Sequence, residues 1–435
     1  MSTTHDPDTA HPEAHVTELE AASPQGARGD VEARPLEGRA SLWKRWVAMA
    51  RVGVRMMFHD KLKMIGTLFG VVFSVVLSNQ QAGTFLGLLH KNTMYIENSG
   101  ADLWIIPPGT QQLQPGQQLS DATLMQARVA RGVAWAEPLL FAGGTVKLPS
   151  GGTEPVTIVG TRLPSMRGGP WNVVEPHPPA GAASADEARA QAAAVLSRPD
   201  TMFFEDSERE KLGGLNVGSV REVNGRTIHV GGFTWGLLPF GPSYAFANFD
   251  LVRELTHTDS DRLNFVLIGL QEGADVASVK AEIQRAVPEA EVVTRDEFKS
   301  RTIRYVLLRT PIGVTLGSSA AFGLIVGFVI VALTMFSAVV DNLREFGSLK
   351  AIGATTLDLA KALFVQSVIY AAMGTVIGLA AVTQMAAGIR SPKLALILPW
   401  QLFAGTAVFM VVLCVAASSL SLLRLRKLEP AMVFR

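Results

Sequence analysis

The sequence predicts an α-helical membrane protein with four transmembrane helices and an α+β extracytoplasmic domain inserted between the first and the second. Three observations predict it. Four apolar runs carry no charged residue: Met64–Leu89, Thr310–Val340, Ala362–Ile389 and Leu394–Leu423, of 26, 31, 28 and 30 residues. Each exceeds the roughly 20 residues that cross a hydrocarbon core. All the charges of the 435-residue chain, 39 Lys+Arg and 38 Asp+Glu, lie outside those runs. About 220 residues separate the first run from the second, and they carry short β-branched segments with turn signals between them.

Residues 1–40 are rich in Ala, Pro, Glu and Asp and hold no apolar stretch, so a disordered cytoplasmic tail is expected rather than a secretion signal. Residues 41–63 follow with Lys44, Arg45, Arg51, Arg55, Lys61 and Lys63 against the single acid Asp60, and with Trp43 and Trp46. This pattern predicts an amphipathic helix at the cytoplasmic interface. Residues 64–89 form transmembrane helix 1, and the polar Asn79, Gln80 and Gln81 near its end predict a helix that continues as a stalk.

Residues 90–309 form the α+β domain. Leu103–Ile106, Val156–Gly160, Val220–Val223, Thr227–Val230, Phe265–Leu270 and Glu291–Thr294 read as strands, and Asn224-Gly225 as a two-residue hairpin turn. Val276–Val287 and Ala185–Leu196 read as helices, the second inside an Ala/Pro-rich insertion at 172–199. Asp296–Arg309 predicts a second stalk. The aromatic stretch Phe233, Trp235, Phe240, Tyr244, Phe246 and Phe249 is expected in the sheet core, an exposed cargo or partner surface being the alternative. Glu205, Asp206, Glu208 and Glu210 are expected on a solvated helix face rather than around a cation. His5, His11 and His15 lack the helical spacing of a zinc protease motif.

Transmembrane helix 2 spans 310–340, helix 3 spans 362–389 and helix 4 spans 394–423. The segment 341–361 holds three basic residues and the tail 424–435 four, so the positive-inside rule places both with the N-terminus in the cytoplasm and the large domain in the periplasm. Arg295–Arg309 runs against that rule, with five basic residues on the external side. Within 341–361, Leu343, Phe346, Leu349 and Ile352 form one apolar stripe, with Arg344, Glu345 and Lys350 on other faces. Gly353 is a helix stop, and Thr355 with Asp358 a cap for the next helix.

Composition also excludes chemistry. A net charge of +1 gives no nucleic-acid footprint. The lone Cys414 lies in an apolar run and permits no intrachain disulfide. No Gly-Lys dipeptide occurs, which rules out a phosphate-binding Walker A loop. No His, Asp or Glu lies in the apolar runs, where a proton relay or ion site would need one. The expectation is a non-enzymatic chain without cofactor or bound metal, whose motor is a separate protein.

The run Arg344-Glu-Phe-Gly-Ser-Leu-Lys-Ala-Ile-Gly-Ala-Thr355, between Gly-rich apolar runs, resembles the signature of FtsX/MacB-type ABC transporter permeases, and its DevC-like branch most closely. Thr310-Pro-Ile-Gly313, Gly323–Gly327, Leu398-Pro399 and the tail Leu428–Arg435 fit the same pattern. The resemblance covers about residues 45–435, in the order one span, domain, three spans. It implies a separate ABC ATPase subunit gripping a coupling helix built from Arg344, Glu345, Phe346, Gly347, Leu349, Lys350, Ile352 and Gly353. It also implies a homodimer in the lipid bilayer of the inner membrane, a periplasmic adaptor protein and an outer-membrane channel.

Gly66/Gly70, Gly83/Gly87, Gly313/Gly317, Gly323/Gly327 and Gly374/Gly378 are each four residues apart, a spacing that lets helix backbones approach closely in lipid. The spacing fits contacts between two copies and contacts within one protomer alike. The expected function is export of a hydrophobic or lipid-like cargo by ATP-driven motion transmitted to the periplasmic domain. The alternatives are a transducer that activates an extracytoplasmic cell-wall hydrolase and a heme or peptide efflux permease.

Overall fold

The computed structural model describes residues 37–175, 185–239, 241–388 and 396–426. Most of the expected tail with His5, His11 and His15 lies outside the described residues, as do 176–184 of the insertion, Phe240, the loop bearing Arg390 and Lys393, and residues 427–435.

Helix α1 (Glu37–His59) ends at Asp60, whose side chain accepts a hydrogen bond from Lys63 N and so caps α2 (Lys61–Asn98). Lys61 and Lys63 therefore belong to the first turn of α2, not to the preceding helix. At 38 residues, α2 extends about 57 Å, nearly twice the roughly 30 Å hydrocarbon core.

After α2 come β1 (Leu103–Ile106), β2 (Leu119–Ser120), α3 (Asp121–Arg128), β3 (Val133–Lys147), β4 (Thr153–Thr161), β5 (Val173–Glu175), α4 (Ala185–Leu196) and β6 (Thr201–Glu205). A short 3-10 turn, Asp206–Glu208, leads to β7 (Val220–Val223), β8 (Arg226–Thr234), β9 (Ser243–Asn248), α5 (Phe249–Leu255), β10 (Arg262–Leu263), β11 (Phe265–Leu270), α6 (Val276–Ala286) and β12 (Glu291–Thr294). Ten strands form one mixed sheet in the order β12-β1-β11-β3-β4-β9-β6-β8-β5, with β7 paired to β3 and β8. The β4/β9 and β6/β8 pairs are parallel. The β7–β8 turn holds Asn224 at φ 49° and Gly225 at φ 81°, the left-handed pair of a type I′ hairpin.

Alternation along the strands makes two cores. Leu103 and Ile105 face a core with α3, α5 and α6, while Trp104 and Ile106 face a second core with Tyr95 of α2 and residues of α4. Phe233, Tyr244, Phe246 and Phe249 are buried, as a sheet core requires, and only Trp235 of the described aromatics in that stretch is exposed.

The acidic segment departs from the expected solvated helix face. Glu205 ends a central strand, fully buried, and accepts from Thr234 Oγ1 at 2.9 Å, Gly236 N at 2.7 Å, Leu237 N at 3.2 Å and Ser207 Oγ at 3.1 Å. Burial raises its pKa. Glu208 is buried too.

The chain ends in α7 (Arg295–Arg309), α8 (Pro311–Asp341), α9 (Leu343–Ala351), α10 (Thr356–Gly388) and α11 (Trp400–Arg426). Among the described residues, four helices are long and apolar enough to cross a membrane: α2, α8, α10 and, over Trp400–Ser419, α11. They pack together, with Val71 and Val75 of α2 buried beside Val331 of α8, Tyr370 of α10 and Met410, Leu413 and Cys414 of α11.

Candidate functional site

Two junctions stand out by their geometry: the elbow between α7 and α8, with the packing of α7 beside α2 above it, and the turn carrying α9.

Thr294 and Glu297 form a reciprocal capping box that starts α7. Its far end breaks at Thr310, which is extended at φ −100° and ψ 142°, as the residue before a proline prefers. Pro311 opens α8 at a position where a missing N–H costs nothing. Thr310 Oγ1 accepts from Gly313 N at 3.1 Å and donates to Val306 O at 2.7 Å. A Cβ on Gly313 would lie 1.7 Å from Val306 O, whereas a straight helix would hold those residues about 10 Å apart. The elbow is therefore sharp, and only glycine fits there.

Above the elbow, α7 lies beside the end of α2. Lys299 Nζ meets Glu97 Oε1 at 2.7 Å. The ring of Trp104 on β1 stands edge-on to Phe298 of α7 at 5.4 Å between centroids and to Tyr95 of α2 at 6.3 Å. Tyr95 also meets Phe141 at 5.8 Å and Tyr244 at 5.6 Å, and its hydroxyl donates to Gly168 O. One aromatic cluster thus fixes α2 and α7 to the sheet.

The glycines make close helix contacts within one protomer. A Cβ on Gly374 would sit 2.4 Å from Val71 Cγ1, on Gly378 2.7 Å from Val75 Cβ, and on Gly70 2.5 Å from Thr334 Cγ2. On Gly323 it would sit 2.9 Å from Gln81 Cγ, and on Gly327 2.6 Å from Ser74 Oγ. Gly66 has open space around it and Gly317 only ordinary contact with Phe85. The interior also holds uncharged polar groups: buried Asn79 donates to Val75 O at 2.8 Å and accepts from Thr406 Oγ1 at 3.2 Å.

In the α9 turn, Phe346 is buried with Leu359, Leu363 and Val339, and Leu349 packs beside them. Arg344 and Glu345 are exposed, Gly347 is buried and Lys350 is half-buried. Ile352 departs from the expected apolar stripe. It is the C-terminal cap of α9 and lies 86% exposed, because the chain leaves the helix there through Gly353 at φ 105°. Across the turn, Leu357 is 73% exposed. Thr355 and Asp358 cap α10 reciprocally: Asp358 N donates to Thr355 Oγ1 at 3.2 Å, and Thr355 N and Oγ1 donate to Asp358 Oδ2 at 3.3 and 2.7 Å. Sequence reasoning missed Leu357, although its place in the first turn of α10, two residues past the Thr355 cap on a charged, short turn, was the available signal.

Residues 64–286 match the MacB-like periplasmic core domain, and residues 317–430 match the FtsX-like permease C-terminal family. An uncharacterized ABC transporter permease of Methanocaldococcus jannaschii, MJ1507, is 29% identical over 30% of this chain and 34% of its own length. The uncharacterized ABC transporter permease YknZ of Bacillus subtilis is 25% identical over 50% of this chain and 57% of its own length. The chain thus spans about a third and just over half of these curated relatives. Among solved structures, the extracellular domain of a noncanonic ABC-type transporter YknZ from Gram-positive bacteria aligns over 45% of this chain and 99% of its own, with a TM-score of 0.32 and 13% identity. The periplasmic region of MacB from Actinobacillus actinomycetemcomitans aligns over 50% of this chain and 99% of its own, with a TM-score of 0.34 and 10% identity. The first family match alone spans half of the sequence, and the second covers most of α8 and all of α9, α10 and α11: the chain belongs to the FtsX/MacB-type ABC transporter permeases.

Proposed function

We propose that this permease, a multi-pass membrane protein, is a DevC-like subunit that transmits the ATP-driven motion of a separate ABC ATPase to its α+β domain, and that the domain drives a hydrophobic or lipid-like cargo outward. The observation that carries the reading is the continuity of α2. It is packed against α8 and α10 at one end and against the sheet through Tyr95 at the other, with no helix break between. A rigid 38-residue helix moves as a body, so a push at the α9 turn reaches the sheet through α8, α10 and α2.

In this reading Ile352 and Leu357 enter the ATPase, with Arg344 and Glu345 at the rim of the contact. The α+β domain stands in the periplasm, where an adaptor and an outer-membrane channel receive the cargo, and the permease works as a homodimer. Charge-free apolar runs and a sequence without a Walker A motif fit a chain that carries force rather than performing hydrolysis. Two measurements test it: an enzymatic reporter inserted at Gly273 should be active only outside the cytoplasm, and an ABC ATPase should co-purify with the full-length chain. A reporter active in the cytoplasm would invert the arrangement, and a chain that purifies from native membranes free of any ATPase would remove the motor.

A further inference from the structure

The outward face of α7 lines a groove of about 750 Å³ bounded by α6 and β12. That volume lies within the roughly 300–1,000 Å³ of small-molecule sites. Its end away from α8 is electrically closed. Arg301 holds Glu291 through two hydrogen bonds of 2.6 and 3.0 Å, and Lys280 Nζ holds Glu297 at 2.6 and 2.5 Å. The hydrogen bonds from Arg301 keep the Glu291 carboxyl below its ordinary pKa, so that pair is charged at neutral pH.

The end next to α8 is open. Arg304 and Arg309 are exposed and make no ion pair among the described residues, and Leu308 stands between them, 70% exposed, next to Tyr305. The elbow at Thr310 sets this end of the groove close over the start of α8. There, exposed Ile312 and Val314 are followed by the exposed hydroxyls of Thr315 and Ser318, a mixed apolar and polar turn suited to a helix entering the headgroup layer. Two unpaired cations and an exposed leucine at headgroup level lack an anion and a hydrocarbon partner. An anionic phospholipid supplies both, and long arginine side chains reach down to phosphates. Such a partner also accounts for the basic residues of α7 that oppose the positive-inside rule: Lys299 and Arg301 have carboxylate partners in the protein, and Arg304 and Arg309 would take theirs from lipid.

We propose that this groove is a binding site for the headgroup of an anionic phospholipid in the leaflet bordering the start of α8, with Arg304 and Arg309 on the phosphate and Leu308 against the acyl chain. The inference rests on the reading of α8 as a membrane span, and it needs neither the ATPase nor export.

The test uses the full-length protein in nanodiscs of phosphatidylcholine mixed with phosphatidylglycerol, with lipids retained after release counted by native mass spectrometry. The wild type should retain phosphatidylglycerol selectively. Replacement of both arginines (Arg304→Gln with Arg309→Gln) should weaken retention by about 30-fold, from about fivefold per cation near an anionic surface. Arg262→Gln, a basic residue outside the groove, should leave retention unchanged. Equal retention of both lipids by the wild type, full retention by the double variant, or complete displacement by inorganic phosphate alone would each overturn the proposal. Unfolding midpoints of the variants in the same discs separate loss of the site from loss of the fold. Co-purification of the ATPase is read independently, so either reading can fail while the other stands.

Discussion

Lys299 of α7 and Glu97 of α2 form an ion pair with Nζ and Oε1 2.7 Å apart, and it joins the two helices through which the α+β domain is attached to the apolar bundle. Thr93 Oγ1 donates to the same carboxylate at 2.9 Å, which fixes the acid on its own helix. The pair is partly exposed, so its contribution to stability is about 0.2–1 kcal/mol. Its larger role in the proposed mechanism is register between the stalks. Reversing either charge (Glu97→Lys or Lys299→Glu) should lower transport-coupled ATP turnover several-fold in the reconstituted complex with little change in unfolding temperature. The double reversal should restore turnover. A double variant no better than the singles would deny the pair that role.

Gly313 at the elbow predicts the sharpest stability effect. Alanine there would meet the Val306 carbonyl at 1.7 Å and force the backbone apart, which costs about 3 kcal/mol, the upper end for overpacking. Alanine at Gly317, with Phe85 no nearer than 3.7 Å, should be neutral or stabilising by up to about 1 kcal/mol through helix propensity. Thermal unfolding of the two variants in detergent checks the contrast, and equal midpoints would contradict the elbow geometry.

Gly374 and Gly66 separate the two roles of the small-residue pairs. Valine at Gly374 should push α10 away from Val71 and lower the unfolding midpoint of the protomer. Leucine at Gly66, which faces open space, should leave the protomer intact. A shift from dimer to monomer in the Gly66→Leu variant, measured by light scattering with detergent subtracted, would place that glycine in a seam between copies. An unchanged assembly would exclude it from one.

The Glu291–Arg301 pair predicts acid sensitivity of the domain. Hydrogen bonding to Arg301 lowers the folded pKa of Glu291 below the ordinary glutamate value. Its stabilisation is therefore complete above the unfolded pKa of about 4.3 and is lost as pH falls through the lower folded value. Glu291→Gln should flatten that part of the stability profile of the full chain below about pH 4.3. Because both side chains are part-exposed, the effect is about 1 kcal/mol at most. An unaltered acid profile would show that the pair does not contribute.

Much of this structure was legible in the sequence, and the reasons for the remainder are physical. The charge-free runs and Glu291–Thr294, Phe265–Leu270 and Leu103–Ile106 announced their elements because apolar length and β-branching are local signals. Strands β6 and β9 were not legible: their centres, Met202-Phe-Phe204 and Tyr244-Ala-Phe-Ala247, hold no β-branched residue, and neither is joined to a pairing partner by a tight turn. Glu205 looked like one of four surface acids, yet the sheet register buries it and two backbone N–H groups satisfy it. Ile352 continued a helical stripe on paper, but the stripe ends where Gly353 turns the chain. That Arg304 and Arg309 make no ion pair among the described residues could not be read either, since the fold decides that Glu97 and Glu291 reach α7 at Lys299 and Arg301.

The most direct test of the proposed force transmission compares two variants of the permease, each assayed with the ABC ATPase that the proposal assigns to it. The measurement is co-purification of the ATPase together with its ATP turnover in lipid. Ile352→Asp should abolish both, because it places a charge on the exposed apolar tip of the α9 turn. Gly313→Ala, far along the chain at the elbow, should retain the ATPase but uncouple its turnover from the permease. Undiminished binding and turnover in Ile352→Asp would contradict the assignment of the α9 turn as the point where the motor acts.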